Sequence, residues 1–338
     1  MIEVENGKIN IALIGAGGIG KRWIKALNNV ESIDLSVIVD KDIKKAEETA
    51  KEYKIGSCEI LNDYKQAINK ENIDAVIVAT PHKFLASISE DFLRAGKHVL
   101  SEKPCGISMV EIQKLVEISK ENDLRYMAGF NHRFHEGFIL ARKLFEEGRI
   151  GDIQFIRARY GFGGRPDMQN EWRFKKEIAG GGELIDQGVH MIDMVGSFIG
   201  EIKDVKGFAE NFYWESEVED NAFVLLKSQG GQVASVHVSW SNWKPTHVFE
   251  IFGTEGYLIV SGLGRKYGGS EKVILGIRDD ECSWEPKEEV FECNPDADMS
   301  LTREAEEFIS AIKEGRDPIP SAKDALAALE VVEKIYKG

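Results

Sequence analysis

Residues Gly15-Ala16-Gly17-Gly18-Ile19-Gly20 constrain this chain more than any other stretch. They form a G-x-G-x-x-G pattern directly after the apolar run Ile9–Ile14 and directly before a segment of helical period. In a strand–turn–helix unit each glycine has its own task. Gly15 permits the tight turn, Gly17 lets the backbone approach a pyrophosphate, and Gly20 allows the helix to pack close to the strand. Gly18 and Ile19 occupy the same turn and belong to the candidate contact set. The helix start then offers N–H groups and a positive dipole end to phosphate. That matters in a chain whose net charge is −14, from 43 basic and 57 acidic residues.

Asp40 ends the next apolar strand, Leu35–Val39, where an acidic residue would bind the adenosine ribose hydroxyls. Its carboxylate would repel a 2′-phosphate, so NAD is favoured over NADP, although Lys41 and Lys44 soften that preference. Further strands are expected at Ala75–Ala79, Val99–Ser101 and Tyr126–Phe130. Helical periods lie between them, at Lys41–Tyr53, Leu85–Ala95 and Met109–Lys120. Strands that are apolar throughout and separated by helices indicate a parallel sheet covered on both faces. Residues 1–130 therefore read as a doubly wound α/β, dinucleotide-binding domain.

The texture changes at residue 131. A helix is expected at Phe134–Glu147, a strand at Ile153–Tyr160, a glycine-rich functional loop over Gly161–Gly182 and a helix from Glu183 to Phe198. Longer runs of strand character follow at Val205–Trp214, Ala222–Lys227, Gln232–Trp240, Val248–Phe252 and Tyr257–Val260. Gln229-Gly230-Gly231 reads as a hairpin turn, and the alternation Val236, Val238, Trp240 marks an antiparallel sheet with two unlike faces. Helices at Leu301–Lys313 and Ala322–Tyr336 close the chain, the second capped by Ser321. Residues 131–338 read as an α+β substrate and oligomerisation domain, whose final helices have the option of packing back on the first domain.

Composition excludes several classes. The acidic balance lacks the basic footprint of nucleic-acid binding and repels an anionic membrane surface. No apolar run approaches the roughly 18 residues of a membrane span, and the polar start MIEVENGK is unlike a secretory signal. Cys58, Cys105, Cys282 and Cys293 are scattered without a C-x-x-C pair, as expected of a reduced, cytoplasmic protein with no structural metal.

Two further motifs carry chemistry. Ser101-Glu102-Lys103-Pro104 ends a strand, and ligands of open α/β sheets bind outside the carboxyl ends of their strands. Lys103 is thereby aimed at a cleft. In Gly180-Gly181-Gly182-Glu183-Leu184-Ile185-Asp186-Gln187-Gly188-Val189-His190, Asp186 and His190 stand one helical turn apart, with Asp193 a turn beyond. Gly188 between them would let a substrate ring or nicotinamide approach. A metal site, a structural histidine and a general base supported by Asp186 all remain open on spacing alone.

Together, the glycine turn, Glu102-Lys103-Pro104 and the Asp186–His190 pair after a triple glycine resemble the glucose–fructose oxidoreductase/inositol dehydrogenase/MocA family, over most of the chain. The resemblance implies a Rossmann domain followed by a domain with a large, mostly antiparallel, open-faced sheet. It also implies oxidation of a hydroxyl on a sugar, cyclitol or nucleotide sugar. By that analogy Lys103 touches the reacting oxygen and the nicotinamide ribose, Asp186 orients Lys103 and the substrate, and His190 takes the hydroxyl proton. Thr80, Pro81 and His82 would lie with Glu102 near the cofactor, although Leu85 stands where the family usually has a histidine. Asn131, Arg133, Arg165, Trp172 and Arg173 would border the substrate. Arg157, Arg159, Arg165 and Arg173 around the loop suggest an anionic substrate. Phe212, Trp214, Trp240 and Trp243 suggest a broad sheet face buried in a homodimer or homotetramer. Two alternatives stand beside the dehydrogenase: an NAD-dependent glycosidase with transient substrate oxidation, and a non-catalytic dinucleotide sensor.

Overall fold

A computed structural model describes residues 7–53, 55–56, 58–279, 284, 286–293 and 297–338. In chain order the elements begin β1 (Ile9–Ile14), α1 (Gly18–Leu27), β2 (Ile33–Val39), α2 (Ile43–Glu52), β3 (Glu59–Leu61), α3 (Lys65–Ile68) and β4 (Ala75–Val78). They continue α4 (His82–Arg94), β5 (His98–Glu102), α5 (Met109–Glu121), β6 (Tyr126–Gly129), a 3-10 turn (Asn131–Phe134), α6 (Glu136–Glu146) and β7 (Ile153–Gly161). Two 3-10 turns (Met168–Asn170, Trp172–Phe174), α7 (Lys176–Ala179), a π turn (Leu184–Gly188) and α8 (Val189–Ile199) follow. Strands β8 (Ile202–Glu210), β9 (Asn221–Ser228), β10 (Val233–Ser239), β11 (Thr246–Gly253), β12 (Gly256–Leu263), β13 (Tyr267–Ile277) and β14 (Lys287–Cys293) precede α9 (Ser300–Glu314) and α10 (Ala322–Lys337).

These elements form two compact units, Met1–Phe130 with Leu301–Leu326, and Asn131–Ser300 with Ala327–Gly338. The first is built on a six-stranded sheet of order β3-β2-β1-β4-β5-β6, parallel throughout. Every residue of β4, β5 and β6 is buried, which is why β4 and β6 read as apolar runs, while β5 also buries His98, Ser101 and Glu102. The order reverses between β1 and β4, and in such sheets the ligand crevice lies at the strand ends beside that switch. Ser321 caps α10: its hydroxyl accepts the Lys323 N–H, and its own N–H donates to Asp324 at 2.7 Å.

The second unit carries an eight-stranded sheet of order β14-β13-β12-β11-β7-β10-β9-β8. Only β7 and β10 pair in parallel; the remaining pairs are antiparallel. Helix α8 packs against β7 and β10, and α6 against β12 and β13. Along β9 buried and exposed residues alternate, so one face of the sheet is core and the other is open.

Several expectations need correction. The strand read as Val205–Trp214 ends at Glu210. The Asp220 carboxylate accepts the N–H groups of Phe212, Tyr213 and Trp214, at 2.9, 2.7 and 2.9 Å, and so turns the chain out of the sheet. Trp240 is fully buried, stacked on Phe174 at 4.9 Å, and does not belong to an exposed face. Trp214 packs with it, donating its indole N–H to the Trp240 carbonyl. The side chains that do stand on the open face include Phe155, Phe208, Phe223, Leu225 and Val233. Strands β3, β13 and β14 escaped the sequence reading because β3 is three residues long and β13 and β14 carry glycines and charges in place of apolar alternation.

Candidate active site

In the first unit the glycine turn fits a dinucleotide on steric grounds. Gly15 has φ 104°, in the left-handed region, and a Cβ there would overlap the Ala79 carbonyl. A Cβ at Gly20 would overlap the Gly15 carbonyl, the cost of close helix–strand packing. At Gly17, by contrast, a Cβ would meet only Lys45 Nζ at 3.8 Å, and at Gly18 nothing. The turn is therefore closed on the protein side and open where a pyrophosphate would rest beside the start of α1. Lys45, one turn into α2, was not singled out from the sequence, yet it is the cation that stands over this opening.

Asp40 follows β2 and shapes the same turn. Its carboxylate accepts the Ala16 N–H at 2.8 Å and the Asp42 N–H at 3.0 Å, one on each oxygen. Two oxygens with about four acceptor sites retain capacity for ribose hydroxyls. Lys41 lies over the Phe84 ring, 5.2 Å from its centroid. Thr80 and Pro81 follow β4, and Pro81 precedes the first residue of α4, the buried His82. Thr80 Oγ1 is buried and meets no hydrogen-bond partner among the described residues, so it is a polar atom suited to a ligand. Leu85 is fully buried in α4.

Glu102 and Lys103 stand at the end of β5. Trp23 of α1 donates its indole N–H to Glu102 Oε1 at 2.8 Å. Burial pushes the Glu102 carboxyl up, against the opposing pull of that hydrogen bond and of the Lys103 charge. The turn closes through Cys105 N–H, which donates to the Glu102 carbonyl at 3.0 Å.

In the second unit Asp186 and His190 do not share a regular α-helix. Residues Leu184–Gly188 form a π turn that leads into α8, a wider coil common at functional sites. The triple glycine ahead of it has a packing cause: a Cβ at Gly181 would overlap the Tyr336 hydroxyl, and one at Gly182 the Glu219 carbonyl. The Glu219 carboxylate holds the turn in place, accepting from Gly182 N–H at 2.9 Å, Leu184 N–H at 3.1 Å and Tyr336 Oη at 2.6 Å. Gly188 does not open a path to a ligand ring. A Cβ there would touch Leu184 at 3.0 Å and Val238 of β10 at 3.2 Å, so its bare face lies on the sheet.

Around this turn carboxylates and guanidinium groups interlock. Arg173 Nε donates to Asp186 Oδ2 at 3.0 Å, its guanidinium lying 4.5 Å over the Trp172 ring. Arg165 and Glu171 form a bidentate pair at 2.9 and 2.6 Å, and Glu171 also approaches Arg173 at 3.5 Å. Arg133 clamps Asp193 in the same fashion, at 2.8 and 2.6 Å, while Asn131 donates to Ser300 Oγ at 3.1 Å. The loop that carries these arginines is pinned by Met168 and Phe174, buried with Val218 and Trp240.

Arg157 and Arg159 are not part of that group. On β7 they alternate with the buried Ile156, Ala158 and Tyr160 and so stand on the open face, where Arg157 pairs with Glu250 at 2.9 Å. Residues on the inner side that the sequence reading passed over are His132, stacked on His190, together with Tyr160, Tyr267 and Gln187. Burial raises the pKa of both tyrosines, so the phenols remain protonated donors. The alternation along β7 was the signal for Tyr160; His132 stood in plain view between Asn131 and Arg133.

A model of the oxidoreductase family with an NAD-binding Rossmann fold matches residues 9–130, and the GFO/IDH/MocA C-terminal domain matches residues 138–259. The chain belongs to the GFO/IDH/MocA oxidoreductase family. Among relatives, it is 28% identical to levoglucosan dehydrogenase of Pseudarthrobacter phenanthrenivorans over 74% of this chain and 73% of that one. It is 26% identical to inositol 2-dehydrogenase of Rhizobium meliloti over 96% and 95% of the two chains. The solved complex of levoglucosan dehydrogenase with NADH and levoglucosan superposes with a TM-score of 0.87, at 26% identity over 98% and 97% of the two chains. Among the described residues no cluster of three or more His, Cys, Asp or Glu could hold a metal, and no helix is long and apolar enough to cross a membrane.

Proposed function

We propose that this protein is an NAD-dependent dehydrogenase that oxidises a secondary hydroxyl of a neutral sugar or cyclitol. The observation that carries the reading is the pairing at the start of α8: a buried carboxylate, Asp186, fixed by Arg173, with the imidazole of His190 just beyond it. A buried imidazole four residues after an oriented carboxylate suits removal of a proton from an alcohol. The names of the relatives, dehydrogenases of levoglucosan and inositol, support the substrate class.

Gly15, Gly17, Gly18, Ile19 and Gly20 would hold the pyrophosphate, and Asp40 the adenosine ribose. Thr80, Pro81, His82 and Glu102 line the remaining strand ends. When bound, the nicotinamide supplies the hydride acceptor. His190 takes the hydroxyl proton, a contribution of roughly 10²–10⁴-fold. Lys103 stabilises the charge that develops on the substrate oxygen. Asp186 orients the substrate, and Trp172 and Arg173 flank it. The Asp40 carboxylate supports NAD over NADP, with Lys41 and Lys45 as the opposing influence.

Ion pairing within the chain favours a neutral substrate over the anionic one suggested by arginine content, while relatives named as reductases of dTDP-linked sugars support the nucleotide-sugar alternative. Arg165, Arg173 and Arg133 are each paired with the chain's own carboxylates, and Arg157 stands on the opposite sheet face. Unpaired Cys58, Cys105 and Cys293 support a cytoplasmic setting; Cys282 lies outside the described residues. The open face bearing Phe208, Phe223 and Leu225 supports a homodimer or homotetramer.

The test is a spectrophotometric screen of anhydrosugars, inositols and nucleotide sugars with NAD and with NADP. Steady NADH formation from a neutral polyol is the expected result, with His190→Gln and Lys103→Ala each slowing kcat by about 10²-fold or more. Release of an aglycone without net NADH would replace this reading with the glycosidase. An anionic analogue that outcompetes every neutral polyol would restore the charged substrate.

A further inference from the structure

We infer that His132 is a positioning residue that holds the ring plane of His190. The inference rests on the reading of His190 as the proton acceptor. His132 belongs to the 3-10 turn Asn131–Phe134, and its imidazole lies 3.9 Å from that of His190, centroid to centroid, with the planes 10° apart. Their exposures are 3% and 6%, so the contact is a buried, face-to-face stack.

His132 is in turn braced by three ring contacts. The His135, Tyr160 and His247 rings meet it steeply tilted to edge-on, at 5.7, 5.3 and 5.9 Å. The Glu271 carboxylate fixes His135 through Nδ1 at 2.6 Å and also accepts the Gly264 N–H at 3.0 Å. Burial takes His247 down to about 3, so that ring is neutral at physiological pH. The brace is drawn from β7, β11 and β13, three strands of one sheet, and it ends on a flat surface against which His190 lies.

The chemical need for such a surface follows from the torsion that carries an imidazole. Rotation about χ2 is broad and nearly two-fold, so an unbraced ring samples orientations in which its acceptor nitrogen misses the hydroxyl. Proton transfer uses one ring nitrogen as the acceptor, so a restraint applied through the ring face does not compete with it. A stack restrains the plane through the ring face and makes no demand on the accepting nitrogen. The asymmetry assigns His132 its role: its flatness matters, and its basicity does not.

The full-length protein with NAD bound provides the test, using His132→Ala and His132→Phe. In the wild type the His132 ring current displaces the His190 Cε1–H resonance upfield, a signal assigned by its loss in His190→Gln. His132→Ala should abolish that displacement, and His132→Phe should keep it. With levoglucosan and myo-inositol as probes, His132→Ala should lower kcat about tenfold through misorientation of the base, with KM changed less than about twofold. His132→Phe should recover most of that loss, which a generally disruptive change would not permit. An unmoved His190 resonance in His132→Ala, or a His132→Phe protein as slow as His132→Ala, overturns the positioning role. Full turnover by His190→Gln would instead overturn the reading of the base itself.

Discussion

The two sheets of this protein solve opposite problems. The parallel sheet hides whole strands: Ala75–Val78 and His98–Glu102 are buried at every position. The eight-stranded sheet hides alternate residues: Ala222, Val224 and Leu226 are buried while Phe223 and Leu225 of the same strand are exposed. A strand covered on both faces leaves its side chains no room for a ligand, so its ends and turns are where ligand groups can stand. A strand covered on one face can use its inner side both for core and to brace other side chains, as Tyr160 and His247 pack against His132. Its outer side is released for another task. The proposed chemistry accordingly draws on the rim of the first sheet and on the inner surface of the second.

Substituting aspartate into each sheet is the most severe way to break this comparison. Ile77 is 0% exposed, and Ile77→Asp should cost several kcal/mol and leave little folded protein. Leu225 is 55% exposed, and Leu225→Asp should shift unfolding by about 0.5 kcal/mol or less in the isolated chain. Its effect should fall on assembly, seen as a smaller mass by light scattering at micromolar concentration. A monomeric wild type with an unchanged Leu225→Asp mass would remove the assigned purpose of the open face.

Asp220 offers a smaller, local test. Removing a carboxylate that accepts three backbone N–H groups should cost about 2–4 kcal/mol in Asp220→Ala, read by urea unfolding. An unaltered midpoint would show that the turn at 212–214 is held by its aromatic packing instead.

A pH-dependent test compares one buried histidine from each unit. Burial lowers His98 to about 4, with the Arg125 charge adding to the shift, and His98 Nδ1 accepts the Arg125 N–H at 2.9 Å. Burial lowers His247 to about 3. Both begin from 6.5, so in acid the unfolded chain takes up protons that the folded chain refuses. Stability should thus be full above about pH 6.5 and fall by about 1.4 kcal/mol per pH unit for each histidine as pH drops below that value. The His98 contribution should level off near pH 4. His98→Gln should flatten the acid slope by about that amount in urea titrations at pH 6, 5 and 4.5; parallel slopes for the two proteins would refute it.

Much of the first unit was legible because its signals are local. Strand Ile9–Ile14 was read to the residue, and the glycine pattern announced the turn. The second unit resisted where side-chain contacts override local propensity. Phe212, Tyr213 and Trp214 have strand propensity, yet Asp220 turns them away from the sheet. Arginine content around the loop suggested an anionic substrate, whereas Glu171, Asp186 and Asp193 already neutralise the nearby guanidinium groups.

Glycines at Gly15 and Gly20, the apolar runs between them and the helices, and the order of Lys103, Asp186 and His190 along the chain are properties of the sequence. They depend on residue identity and order along the chain, which can be counted. The tertiary structure alone decided which side of a helix Gly188 presents, which partner each arginine takes, and that His132 lies flat on His190. Those outcomes join residues from six to about sixty positions apart, and which atoms meet depends on packing that no local pattern encodes.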